Sequence, residues 1–194
     1  MMVGDISVFA IESALTIAYE RLSLRALGFF VVHVDGRSDG LGAPDSTMLA
    51  CSFDSVKRRI ADRGNHLAPF AAKAEASEIA NALNRAPYVD SQEKELLLGI
   101  SSHELAGLVY ADRLLWAPDG DEAFDDGSYI LQFDVDARVR LIAFRRSSGF
   151  AYDPASFSDL WLPSDTFYGI LQQWCEAFEA DWIAMPNVSD RGAG

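Results

Sequence analysis

The chain has 194 residues, 49% apolar and 23% charged, which is enough for one folded domain with a substantial core and too apolar for an intrinsically disordered chain. Twenty-nine Asp and Glu against 16 Lys and Arg leave a net charge of -13 and no basic stripe, so neither nucleic acid nor an anionic membrane surface is expected as a partner. No window approaches the roughly 18 consecutive apolar residues of a membrane span, and Met1-Met2-Val3-Gly4-Asp5 lacks the basic and apolar regions of a secretory signal, so the expected location is cytoplasmic.

Residues 9–19 alternate with period two, with Phe9, Ile11, Leu15, Ile17 and Tyr19 on one parity, as a half-buried strand requires. Residues 26–34 are apolar on both parities and end at the turn pair Asp35-Gly36, which predicts a more central strand antiparallel to the first. After a Gly- and Pro-containing loop, a short Thr47-Met48-Leu49 strand leads into a helix over 53–63, with Phe53, Val56 and Ile60 inward and Gly64 as its stop. A second helix over 75–85 buries Ile79 and Leu83 and ends at Pro87. Ser101-Ser102-His103-Glu104 has the form of a capping box, which predicts a short helix to Tyr110.

Residues 113–116 suggest a brief strand closed by Pro118. Tyr129, Leu131, Phe133 and Val135, a turn at Asp136-Ala137, and then Val139, Leu141 and Ala143 predict a hairpin. From Pro163-Ser164-Asp165 onward, Phe167, Ile170, Leu171, Trp174, Phe178 and Trp182 form the stripe of an amphipathic helix, flanked by Cys175. These elements describe an α+β domain over residues 1–186, an antiparallel sheet of hairpins packed against amphipathic helices, with 187–194 as a disordered tail. Cys51 and Cys175 fit neither a disulfide framework nor zinc spacing.

The charge is unevenly placed. Residues 86–136 hold twelve Asp and Glu against Lys94 and Arg113, which is ten of the thirteen net charges, and residues 137–146 carry four arginines. At the focus lie Asp119, Asp121, Glu122, Asp125 and Asp126, with Trp116 and Phe124 among them. A field of one sign accelerates encounter with a partner of the opposite sign, so the expected partner is a basic protein. Trp116 and Phe124 are either its aromatic anchors or core residues pointing inward.

Other chemistry is less well supported. Asp119-Gly120-Asp121 begins like an EF-hand loop, but Ala123, Phe124 and Ile130 occupy positions that loop reserves for an oxygen ligand, a glycine and a bidentate acid. A looser cation site at Asp125 and Asp126 stays open. Gly36-Arg37-Ser38-Asp39-Gly40 has the letters of a nucleophile elbow, yet Leu41-Gly42-Ala43-Pro44 cannot start the helix that motif needs. His33, His66 and His103 show no metal-ligand spacing, and no phosphate or dinucleotide loop is present. No cofactor or metal is expected.

Val3-Gly4-Asp5, Phe9-Ala10-Ile11-Glu12, the strand ending at Asp35-Gly36 and Thr47-Met48-Leu49 before an amphipathic helix resemble the immunity protein 42 family of bacterial polymorphic toxin systems. The hairpin and closing helix extend the likeness more weakly. The resemblance implies a small non-enzymatic protein that binds a cognate toxin domain, and it assigns no binding residue. Combined with the charge, it implies that Asp119, Asp121, Glu122, Asp125 and Asp126, with Trp116 or Phe124, contact a basic, nuclease-like toxin. The alternatives are a small hydrolase using Ser38 or a carboxylate pair, and a general protein-interaction module.

Overall fold

The computed structural model describes residues 1–19, 26–86, 96–110, 114–118, 122–146 and 152–188. Strands β1 (Met2–Asp5) and β2 (Phe9–Tyr19) form a hairpin, and β2 pairs antiparallel with β3 (Ala26–Val34). On its other side β3 carries two short strands, β4 (Arg37–Asp39) and β5 (Thr47–Met48). Phe9, Ile11 and Ser13 face inward as their parity predicts. A bulge between Leu15 and Ile17 then shifts the register, so that Ala18 is buried while Ile17 and Tyr19 are half-buried. Gly28 on β3 is required by close approach, since any Cβ there would collide with the Ala14 carbonyl and the Leu49 side chain.

Helix α1 (Leu49–Ala61) begins at Leu49 rather than at 53, because the strand before it stops at Met48. Its buried Leu49, Phe53 and Val56 meet the stripe of the long helix α4 (Ser164–Ala184), where Phe167, Leu171, Trp174 and Phe178 are fully enclosed. Helix α2 (Ala76–Arg85) has a glutamate capping box: the Glu75 side chain accepts a bond from the amide of Glu78, whose own side chain accepts from the Glu75 N–H. The expected stop, Pro87, lies outside the described residues. Beyond the short pair β6 (Leu96–Leu97) and β7 (Ile100–Ser101), α3 (Ser102–Tyr110) starts where Ser101 Oγ accepts the Glu104 N–H at 3.1 Å.

The second sheet runs β11 (Ser158–Pro163), β10 (Arg138–Arg145), β9 (Ser128–Val135), β8 (Leu115–Ala117), all antiparallel. The predicted hairpin is β9–β10, in register from Ser128–Arg145 to Val135–Arg138, with Asp136 in the left-handed region at its turn. Strand β11 was not anticipated. Ile130, Val139, Leu141 and Ala143 face a central core shared with the first sheet, α1 and α4. Leu131, Phe133, Ile142 and Phe144 face a second core closed by α2 and α3. Both faces of the hairpin are therefore buried, and the polar residues Gln132 and Asp134, which alternate with the apolar ones along β9, are enclosed as well.

This is the expected α+β architecture. The tail expectation changes at its start: Asn187 and Val188 form a short strand, β12, parallel to Ala18 and Tyr19 of β2, because the backbone edge of β2 beyond β1 offers unpaired amides and carbonyls. Among the described residues, no helix is long and apolar enough to cross a membrane.

Candidate functional site

The acidic segment enters the described structure at Glu122–Phe124, one 3-10 turn, followed by a tight turn through Gly127 into β9. Asp119 and Asp121 lie outside the described residues. Trp116 and Phe124 take the inward alternative. Trp116 is fully buried between Phe9 and Phe167, at ring distances of 6.2 and 6.1 Å, with the Arg59 guanidinium 5.1 Å above it. Phe124 sets its edge on Phe30 at 6.1 Å. The anchor role expected for either ring is therefore not available in this conformation, because both rings close the central core beneath the loop.

The acids divide in the same way. Glu122 and Asp125 are exposed. Asp126 instead ties the turn to the fold: Oδ1 accepts the Ser128 N–H at 3.1 Å, while Oδ2 accepts the Gly40 N–H at 3.2 Å and pairs with Arg145 at 2.9 Å. Leu41 N–H also bonds the Ala123 carbonyl at 2.8 Å, so the acidic turn is fastened to the segment following β4. Among the described residues, no group of three or more His, Cys, Asp or Glu is arranged to hold a metal ion.

Beside this turn opens a cleft of about 390 Å³ between β4 and the 3-10 turn at Pro154–Ser156, lined by Arg37, Asp39, Arg145, Asp153, Ala155 and Ser156 among others. Asp39 is 3% exposed and accepts a hydrogen bond from the buried Ser128 hydroxyl at 3.2 Å. Burial pushes its carboxyl up to about 6, helped by nearby Asp126 and opposed by the Ser128 bond, Arg145 and Arg37. Asp39 ends strand β4, in the Gly- and Pro-containing stretch that the sequence predicts as a loop. The signal was its parity: it faces the same side as Val32, its inward-pointing cross-strand partner.

A second, larger cleft of about 640 Å³ lies at the other end of the hairpin, where Arg63, Asp136 and Asp165 stand over Asp134. Beneath it runs a buried polar network. Asp134 accepts from His66 Nδ1 at 2.9 Å, from the Gly64 N–H at 2.8 Å and from the Tyr168 hydroxyl at 2.9 Å. Gln132 donates to Tyr168 at 2.9 Å and accepts from Arg59 at 3.0 Å. For Asp134, burial acts to raise the pKa, but the bonds from His66 and Tyr168 outweigh it and hold the carboxyl below its ordinary value. The Tyr168 hydroxyl is pushed up by burial and by Asp134. This network joins α1, β9 and α4 and presents no nucleophile.

The structure gives Ser38 no hydrolase geometry. Ser38 is exposed on a strand and not on a strand-to-helix turn, and its carbonyl accepts from Arg145 at 2.7 Å. His33 faces it across the β3–β4 ladder, but His33 Nε2 lies 2.9 Å from Glu12. Several basic residues pair with acids, as in Arg63–Asp165, Arg140–Asp159 and Arg145–Asp126. Arg59 is instead buried and donates to the Leu115 carbonyl at 2.6 Å as well as to Gln132.

The described residues form an α+β scaffold that carries charged clefts. The chain belongs to the immunity protein 42 family, whose model matches residues 1–177. It is accordingly an immunity protein, which acts by binding a toxin and is not an enzyme. In fold it is similar to the crystal structure of CdiI from Burkholderia dolosa AUO158, with a TM-score of 0.56 and 17% identity, covering 91% of this chain and 99% of that one. Among curated proteins, none matches.

Proposed function

We propose that this protein neutralises a cognate toxin domain with a basic, nuclease-like surface, in the cytoplasm, and that the acidic segment 119–126 is the part of the chain that meets the toxin first. The observation that carries this reading is the asymmetry of charge: ten of thirteen net negative charges fall in residues 86–136, while the exposed Glu122 and Asp125 project from a turn anchored to the sheets by Asp126. Exposed pairs within one chain contribute about 0.2–1 kcal/mol, whereas close charge pairs across a tight interface couple by about 1.5–7 kcal/mol. Such charges therefore add little to this fold and much to an encounter. Occupying a basic face by imitating the charge of a polyanionic substrate needs no catalytic group.

The test is co-expression with a candidate toxin domain taken from the genes neighbouring that of this chain. Rescue of growth together with copurification supports the reading, and growth arrest despite a soluble, folded immunity protein sinks it. Whether the toxin is basic is tested on the same complex: association must slow as salt is raised, since the Debye length shortens to about 3 Å at 1 M.

A further inference from the structure

Strand β1 ends the first sheet: β2 pairs with it on one side, and no described strand pairs with it on the other. The direction of its backbone groups follows from the register. Met1 and Ser13 bond each other in both directions through their main chains, and Met2 lies opposite Glu12, Val3 opposite Ile11 and Gly4 opposite Ala10. Bonded and non-bonded pairs alternate along an antiparallel ladder, so Met1 and Val3 turn their N–H and C=O groups to β2, while Met2 and Gly4 turn theirs outward. Among the described residues, nothing takes those outward groups.

Folded proteins guard such edges with lysine, proline or a covering element. The second sheet is guarded at β11, where Pro163 ends the strand and Arg138 donates to the Trp161 carbonyl at 3.3 Å. On β1 these guards are missing, since residues 1–20 contain no Lys, Arg or Pro. Gly4 leaves the edge bare, because a Cβ there would collide with the Phe9 carbonyl of β2. Met2, Ile6 and Val8, at the strand and its turn, are 46%, 51% and 42% exposed and form an apolar fringe beside the open backbone.

We propose that β1 is a docking edge on which an extended segment of the toxin adds as a further strand, its backbone bonding the N–H and C=O groups of Met2 and Gly4. The inference rests on the toxin-binding reading and places a contact on a different part of the chain from the acidic segment. Open ladder groups select a strand, because only an extended chain repeats its donors and acceptors at the matching spacing. Charge selects the toxin over a second copy. The charged side chains along this edge are Asp5 and, opposite Met2, the half-buried Glu12, and two copies at a net charge of -13 each repel. The added segment therefore carries apolar residues, for Met2, Ile6 and Val8, flanked by Lys or Arg.

The experiment uses the full chain and an inactivated form of a toxin domain, taken from the neighbouring genes, whose growth arrest the chain relieves. Amide exchange is followed by NMR with and without that domain. The Gly4 N–H should exchange about tenfold or more slowly in the complex than in the free protein, with the Val3 N–H, bonded to β2 in both, as internal reference. A double variant, Met2→Glu with Ile6→Glu, should keep the wild-type melting temperature and bind about tenfold or more weakly, although it adds acid to a surface that faces a basic partner. Wild-type affinity or better in that folded variant, or an unprotected Gly4 N–H in the complex, overturns the inference and leaves the toxin-binding reading standing. A wild type that is a dimer with Gly4 protected before toxin is added assigns the edge to a second copy and overturns it as well. If the double variant does not fold, Gly4 exchange alone decides. A wild type that relieves no neighbouring toxin domain overturns both readings.

Discussion

Asp134 on β9 accepts the Nδ1–H of His66 at 2.9 Å across a sequence separation of 68 residues, and the same carboxylate takes the Tyr168 hydroxyl from α4. One buried acid thus fastens the loop after α1, the hairpin and the closing helix. Removing this acceptor leaves the buried His66 and Tyr168 donors without it, at about 1–3 kcal/mol for each donor left unpaired. Asp134→Ala should lower unfolding stability in urea by that order, and Tyr168→Phe, which removes one of several donors, by about 1 kcal/mol.

The pH dependence of that site has a definite sign. Because the Asp134 pKa is lowered below 3.8 in the folded state, its contribution is complete above that ordinary value and is lost as pH falls through the folded one. Wild type should therefore lose stability in acid more steeply than Asp134→Asn, measured by melting temperature below about pH 4.

Asp39 slopes the other way. Its pKa is raised from 3.8 to about 6, so between those values the folded protein binds a proton that the unfolded chain does not. The cost of burying its charge is fully present above about 6 and is relieved as pH falls toward about 4. Asp39→Asn should melt above wild type at neutral pH, by the equivalent of about 1–3 kcal/mol, and the gap should close under mild acid. A gap that does not change with pH would show that the carboxyl is not the cause.

Neutralising the exposed Glu122 and Asp125 together should leave stability within about 0.5 kcal/mol, as exposed substitutions do. Stopped-flow association with the toxin at low salt should slow severalfold, and the difference should vanish at high salt. An unchanged association rate would remove the acidic turn from the encounter. Asp126→Asn should behave differently and lower stability, because it weakens the pairing with Arg145 and the tether to Gly40.

Trp116→Ala and Phe124→Ala should each cost about 3–5 kcal/mol of folding stability, the range for deleting a large aromatic from a core. Both rings are enclosed by Phe9, Phe30 and Phe167. If either variant kept its melting temperature while losing only toxin affinity, the ring would be an interface anchor after all.

Much of the local structure was legible because periodicity reports burial directly. The α4 stripe from Phe167 to Phe178, the β9–β10 hairpin and the Ser101 cap all lie where spacing and capping chemistry place them. The side on which a polar residue ends up was not legible. Gln132 and Asp134 alternate with apolar neighbours just as a solvent face would, yet the second sheet is covered on both sides, so they are buried and must find Arg59, His66 and Tyr168.

By itself the sequence determined the principal helices, strands β2 and β3, the β9–β10 hairpin, the α+β class, the concentration of acid at 86–136 and a family resemblance carried by its first fifty residues, because these depend on residue type and short-range spacing. Only the tertiary structure decided that Trp116 and Phe124 face inward, that Asp126 is a structural tie while Glu122 and Asp125 face solvent, and that Asp39 sits half-satisfied in a cleft. Those outcomes depend on which strands cover which faces. Ser128 and Asp39 meet across 89 residues of chain, a separation at which spacing carries no information about contact.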